Sequence, residues 1–186
     1  MNSETKINMD AFKTVSKAIA FSSDLEQMAS HLALLLTGAL EIKACAIFAL
    51  DPETRNLGRL ASYGLSPRYL TKGPLLADRS TAANLKGESV IIQDARNDNR
   101  IQYPSQAEEE GIASMVSIPI VVSEDVLGVV RLYHQEIWKV SEQDLDSLIL
   151  LAVFIGLAMI HVSLVGAITT IDEVIHSGFA GNVLGQ

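Results

Sequence analysis

Three residues with reactive or charged ends, Ser117, Arg131 and Tyr133, sit in one stretch of the chain, GIASMVSIPIVVSEDVLGVVRLY, from Gly111 to Tyr133. Two runs rich in Val and Ile, 113–122 and 126–133, flank the polar break Ser123-Glu124-Asp125. Each is too short for a typical helix, so the pair predicts a β-hairpin. A three-residue loop would pair Val122 with Val126 and Ile118 with Val130. Ser117 then lies across from Arg131, and Met115 across from Tyr133. One face carries only Val116, Ile118, Ile120, Val122 and their partners; the other carries a hydroxyl, a guanidinium and a phenol. A one-residue slip would mix the two sets, which supports this pairing. Pro119 cannot donate to a ladder, so a bulge or an unpaired edge is expected beside it. A guanidinium held on a sheet suits the carboxylate or phosphate of a ligand. The competing possibility is a surface arginine, or one paired with Asp94 or Asp98.

Other reactive groups are sparse. The single Cys45 excludes an internal disulfide and any multi-cysteine metal site, and its place in an apolar run predicts a small buried core residue. His31, His134, His161 and His176 are scattered, and none stands at metal-ligand or catalytic spacing with a Cys or carboxylate. A formal net charge of −8 without a Lys/Arg cluster argues against a nucleic-acid surface. Apolar content of 48% and charged content of 19% describe a globular chain of 186 residues. The first residues, MNSETKINMD, lack the apolar stretch of a secretory signal, and a cytoplasmic protein is expected.

The elements that must position these residues follow from periodicity. Met9, Phe12, Val15 and Ile19 recur at helical spacing. Ser23 and Glu26 have capping-box spacing, predicting a longer helix from Asp24 with the stripe Leu25, Met28, Leu32, Leu35, Leu36 and Ala39. KACAIFAL and LGRLASYG are strands joined by the turn DPETRN. The segment 65–79 is irregular with one short helical turn, 80–86 a short helix ended at Gly87, ESVIIQD a strand, and 105–110 another short helix. Ser141 can cap a final helix, with Asp144 at its dipole-favoured start. Helices at both ends around antiparallel strands make an α+β layer protein.

Taken together, YGLSPRYLTKGPL, GESVIIQDARNDNRIQYPSQAEEEGIASMVSIPI, VLGVVRLYH and SEQDLDSLILLA resemble a GAF domain, a small-molecule sensory and regulatory family. The similarity runs from about Asp24 to Val165. It divides the chain into a tail with a short helix over 1–22, a GAF-like domain over 23–165, and a helix end and tail over 166–186. The resemblance implies a central six-stranded antiparallel sheet, a ligand cavity on one face, and dimerisation through the N- and C-terminal helices. Bilin-binding relatives attach the chromophore through a Cys in the segment where this chain has Tyr103-Pro104, so no bilin-attachment cysteine is present. Free-methionine-sulfoxide reductases of this fold need several cysteines. The Asn-Lys…Phe…Asp-Glu signature of cyclic-nucleotide-binding members is missing, since the matching region reads Tyr133-His134, Trp138 and Gln143-Asp144. No metal-ligand spacing supports haem or iron. The cofactor is left unassigned.

The resulting expectation is a non-catalytic domain whose ligand lies on the polar face of the sheet, under 64–88 and 94–110. Phe48, Tyr63, Ile92, Met115 and Val129 would form walls, and Asp94, Tyr103, Ser117 and Arg131 would orient the ligand. Tyr63 and Tyr103 suit lid packing as well as stacking, Ser117 suits a tolerated small residue under a loop, and Asp94 suits an Asx-turn. Glu108-Glu109-Glu110 reads as a solvated helix end. The last helix carries no formal charge between Ser147 and Ile171, long enough to cross a bilayer. As a soluble helix it packs Leu145, Leu148, Ala152, Ile155, Met159 and Val162 on its own sheet. Leu150, Phe154, Leu157 and Leu164, with Phe12 and Ile19, would then meet a second copy. As a membrane helix it would use Ala152 and Gly156 as a small-residue contact, but no Lys or Arg after Lys139 and no Trp or Tyr belt anchors its far end. A homodimer with a small-molecule ligand, no nucleic acid, no membrane and a downstream signalling partner is therefore expected. Two other classes compete: a ligand-free interaction module filled by its own side chains, and a small redox enzyme using Cys45.

Overall fold

The computed structural model describes Lys13 and residues 24–73 and 79–183. The helix expected around Phe12 and Ile19 lies outside these residues. Asp24 caps the first described helix, α1 (Leu25–Ala39), by accepting the Gln27 N–H at 2.8 Å; Ser23, expected in a capping box, lies outside the described residues. Strands β1 (Ala44–Leu50) and β2 (Leu57–Tyr63) form the early hairpin, with the Asp51 carboxylate accepting from the Glu53 and Thr54 amides in its turn. Two short helices, α2 (Pro67–Leu70) and α3 (Arg79–Asn84), lead to β3 (Val90–Ile92). Then come α4 (Pro104–Glu109), β4 (Ser114–Val122), β5 (Asp125–His134) and α5 (Glu142–Val183).

The strands form one antiparallel sheet in the order β2-β1-β5-β4-β3. Five strands occur among the described residues where the family resemblance implied six. Between β2 and β3 the described residues form the short helices α2 and α3, with Pro67 at the start of α2.

Along the β4–β5 hairpin Ser117 pairs with Arg131, Met115 with Tyr133 and Ile118 with Val130, as the parity required. The loop is shorter than expected. Val122 stands opposite Asp125, leaving Ser123 and Glu124 as the turn, both at positive φ (51° and 73°). Two central residues of that hand twist with the strands, the usual geometry of a two-residue hairpin. A register shift between Ile120 and Val121 offsets the missing residue, so the pairing deeper in the hairpin is unchanged. Beyond Ser117, β4 has no partner on its outer edge among the described residues, and Pro119 falls there.

The helix-side face is sealed. Met28, Leu32 and Leu36 of α1 and Leu148, Leu151, Ala152 and Ile155 of α5 pack with Cys45, Ile47, Val116, Ile118, Val130 and Leu132. Ala39 lies on the exposed side of α1, and Leu40 takes the buried position. Ser141 and Asp144 cap α5: the Asp144 N–H donates to Ser141 Oγ at 3.0 Å, and that hydroxyl donates to the Asp144 carboxylate at 2.9 Å.

Close packing at the sheet centre depends on Gly128. It lies between Ala49 of β1 and Ile120 of β4, and a Cβ there would stand 2.1 Å from the Phe48 carbonyl oxygen. The central backbone must move to admit any side chain. Gly128→Ala is therefore expected to cost about 2–3 kcal/mol of stability, as overpacking of a rigid interior does, measured as a fall in the urea midpoint with little change in slope.

Candidate ligand-binding site

The other face of the sheet is also covered, by different material. Its floor is Ala44, Ala46 and Phe48 of β1, Val90 and Ile92 of β3, Met115 and Ser117 of β4, and Val129, Arg131 and Tyr133 of β5. Above it lie α2, α3, α4 and their connecting loops, with Tyr69, Ala95, Ala107 and Ile112 joining the floor in a second apolar cluster. Short elements give this cover few regular contacts, and side chains hold it down instead. Ser66 caps α2 and donates its hydroxyl and its N–H to the Glu110 carboxylate at the end of α4, the N–H at 2.9 Å. Lys43 approaches the same carboxylate at 3.8 Å. Glu110 is thus a buried latch between two cover helices and not a solvated helix end.

Arg131 is 4% exposed. Its Nε donates to Ser117 Oγ at 2.9 Å, and its guanidinium carbon lies 5.9 Å from the Phe48 ring centre. It forms no ion pair with Asp94 or Asp98; Asp98 instead takes Arg100, at 2.6 Å. Asn84, fully buried at the end of α3, donates to the Ser117 carbonyl at 3.2 Å and the Glu88 carbonyl at 2.9 Å. Arg131 Nη2, Asn84 Oδ1 and Thr81 Oγ1 are buried with no hydrogen-bond partner among the described residues. Buried polar atoms are normally satisfied, and two of these belong to residues that meet at Ser117. The Tyr133 ring stands edge-on to Tyr69 at 5.9 Å. Burial raises the Tyr133 phenol above its ordinary range; the charge of Arg131 and a hydrogen bond from it oppose that rise.

Beside Arg131 the cover leaves a cleft of about 210 Å³ between β1, β2 and α2, lined by Phe48, Leu57, Arg59, Lys72 and Tyr133 among others. The Lys72 ammonium stands 3.6 Å above the Tyr69 ring and donates to the Tyr69 carbonyl at 3.0 Å. Larger clefts lie beside Ser105 (about 280 Å³) and beside the free edge of β4 (about 360 Å³). Arg131, Asn84 and Thr81 line none of these three clefts; of the three, the one between β1, β2 and α2 includes the floor residues Phe48 and Tyr133.

Phe48, Met115, Ser117, Val129 and Arg131 are therefore gathered on one buried face, as expected. Tyr103 flanks it from the cover, its ring centre 5.7 Å from Lys72 Nζ and its hydroxyl against Gly73. Tyr63 is not among them. It pairs with Cys45, so it points to the helix side at the sheet edge, 48% exposed. Asp94 stays outside too: it accepts from the Arg96 amide at 3.1 Å and the Asn97 side chain at 2.8 Å, closing a turn. Arg59, Lys72 and Asn84 were not legible. Arg59 reaches this face only because a register shift between Ile47 and Phe48 sets it opposite Phe48. Lys72 and Asn84 belong to short turns with no periodicity to orient them.

Cys45 is fully buried on the helix-side face, and burial pushes its thiol far up. That is the reverse of an activated nucleophile. Among the described residues no three His, Cys, Asp or Glu side chains cluster as a metal site.

An antiparallel sheet with long helices on one face and a short-helix cover over the other is the α+β architecture of one small domain. A family model described as GAF domain matches residues 22–159, and the chain belongs to the GAF domain family. No curated protein matches the chain in sequence. Its fold is shared by the GAF domain of a phosphoenolpyruvate-protein phosphotransferase from Coxiella burnetii, at 20% identity and TM-score 0.75 over 90% of this chain and 99% of that one. The corresponding Acinetobacter domain is similar at 20% identity and TM-score 0.71, covering 87% and 99%. The free methionine-R-sulfoxide reductase from Neisseria meningitidis is similar at 16% identity and TM-score 0.66, covering 86% and 92%.

The burial of Cys45 has a direct consequence. Its thiol should resist labelling by an aromatic disulfide reagent in native buffer at pH 8 and react fully in 6 M guanidinium, with native labelling no faster than global unfolding.

Proposed function

We propose that this chain is a non-catalytic sensory or regulatory domain, cytoplasmic, that binds a small ligand over the polar face of its sheet and forms a homodimer through its terminal helices. The observation that carries ligand binding is Arg131: a guanidinium held inside a protein by Ser117, with an end that no described residue satisfies. A structural arginine of that burial would be expected in a closed ion pair, because the desolvation of an unpaired charge is costly. The same face brings Tyr133 to the guanidinium, and a cleft lined by Phe48 and Tyr133 opens beside them, so a ligand there would meet both polar and apolar groups. Ligand binding would order the cover helices and bias the packing of α5, a coupling between two states of the domain.

The test uses Arg131→Met, which keeps the volume and removes the charge. Exchanging a buried charge for an apolar side chain is neutral or stabilising when the charge is unsatisfied, so the thermal midpoint should hold or rise. Native mass spectrometry should find a small molecule on the purified wild-type chain and none on the variant. An equal adduct on both, or a wild-type chain that stays empty across a metabolite mixture, would remove this assignment.

The dimer is supported by α5. Leu148, Ala152, Ile155, Met159 and Val162 are buried on the domain, while Leu150, Phe154, Leu157 and Leu164 are exposed. The helix is long and apolar enough to span a membrane by composition. However, Gly156 and Ala152 sit against the sheet, and a Cβ on Gly156 would stand 2.6 Å from Val122 Cγ2. With that half docked, the uncharged residues left over, 163–171, give roughly 14 Å of helix at 1.5 Å each, about half a bilayer core. The exposed stripe suits a second copy better, since a helix apolar on both sides must be covered on both. In light scattering, Phe154→Glu should convert a dimer to monomer or insoluble protein; a variant that remains a soluble dimer refutes this interface.

A further inference from the structure

We propose that the cleft between β1, β2 and α2 takes a small organic anion, its acid group held by Lys72 and Arg59 and its apolar body laid over Phe48, Leu57 and Tyr133. This rests on the ligand-binding role proposed above and names the class of molecule.

Three cations converge on this part of the face: Arg59 from β2, Lys72 from the end of α2 and Arg131 from β5. None of the ion pairs formed among the described residues includes any of them. Glu110, the carboxylate that influences Lys72, is already engaged by Ser66 and Lys43. Uncompensated positive charge in a concave, partly apolar site concentrates anions. The remainder of the lining, which includes Leu65 and Leu70, is apolar or aromatic. An inorganic ion would leave that wall unused, and an uncharged molecule would leave the cations unpaired. A volume of about 210 Å³ limits the ligand to one ring or a short chain with its acid group.

Lys72 also sets a pH dependence. It faces Tyr69 on α2, Tyr103 ahead of α4, Arg59 on β2, Arg131 on β5 and Glu110 at the end of α4. Burial, then the charges of Arg131 and Arg59, lower its ammonium to about 8, and Glu110 opposes them. A bound acid group favours the protonated form, so anion affinity must fall as pH rises through and beyond that value.

Calorimetric titration of the whole chain with phenylacetate, phenyl phosphate, benzyl alcohol and inorganic phosphate tests this. At pH 7 at least one aromatic anion should bind ten times or more tighter than benzyl alcohol and inorganic phosphate; which one is tighter assigns carboxylate or phosphate. Lys72→Met and Arg59→Gln, with thermal midpoints confirming that they fold, should each weaken that anion about tenfold. Lys72→Arg should retain it. Between pH 7 and 9.5 phenylacetate affinity should drop about tenfold in the wild type, as the lysine loses its proton, and less than twofold in Lys72→Arg, whose guanidinium stays charged throughout. Benzyl alcohol binding as tightly as the anions overturns the anion assignment and leaves the pocket standing. Inorganic phosphate matching phenyl phosphate, or anion binding indifferent to both substitutions, overturns the placement. Failure of every probe on the wild type overturns this inference and counts against the pocket.

Discussion

The pairing of Ser117 with Arg131 is the contact on which the polar face depends. Both lie on central strands, and the hydroxyl is placed by register to receive the guanidinium Nε. Register is in turn held from the opposite face. Val116, Ile118, Val130 and Leu132 are buried against the helices, and slipping the hairpin by one residue would exchange that apolar set for a serine and an arginine. The position of the guanidinium is thus fixed by hydrophobic burial on the side it does not occupy. Arg131 has little choice of environment: a rigid sheet carries it inward, and the cover closes over it.

The two faces of the sheet are built for different purposes. Two long helices seal one with continuous apolar stripes, leaving Cys45 inert within it. The other is roofed by helices of one or two turns, tied through Ser66 and Glu110 and by Asn84 reaching the Ser117 backbone. Short helices cannot match a flat sheet over its whole area, and the mismatch leaves concave space beside Phe48 and Tyr133. Elements held by a few side-chain bonds also open at less cost than the sealed core.

The α5 helix is docked along its first half and exposed over the turns that follow. Its early turns dock on β4 and β5 through Leu148, Ile155 and Met159, with Gly156 permitting close approach; its later turns expose Leu164, Val165 and Ile168. A continuous helix transmits rotation or translation along its axis more faithfully than a loop. A small displacement of β4 or β5 would therefore be carried to the exposed end of α5.

The sequence by itself determined the elements with strong periodicity. These were the two long helices and their stripes, the α+β class, the hairpin pairing of Ser117 with Arg131 and Met115 with Tyr133, and the burial of Cys45. Alternation and helical spacing are local signals, and burial of one apolar face enforces them. The family pattern also lay in the residues, although the sixth strand it implied is not found among the described ones. What only the tertiary structure decided were features set by offsets and by irregular chain. A two-residue turn was balanced by a register shift at Ile120 and Val121. Another shift, at Ile47 and Phe48, brought Arg59 to the polar face, while pairing with Cys45 carried Tyr63 away from it. Asp94 closed its own turn, and Glu110 left the surface to latch the cover. Lys72 and Asn84 became visible only once the short helices were in place, because a turn of four to six residues has no period from which a side chain's direction can be read.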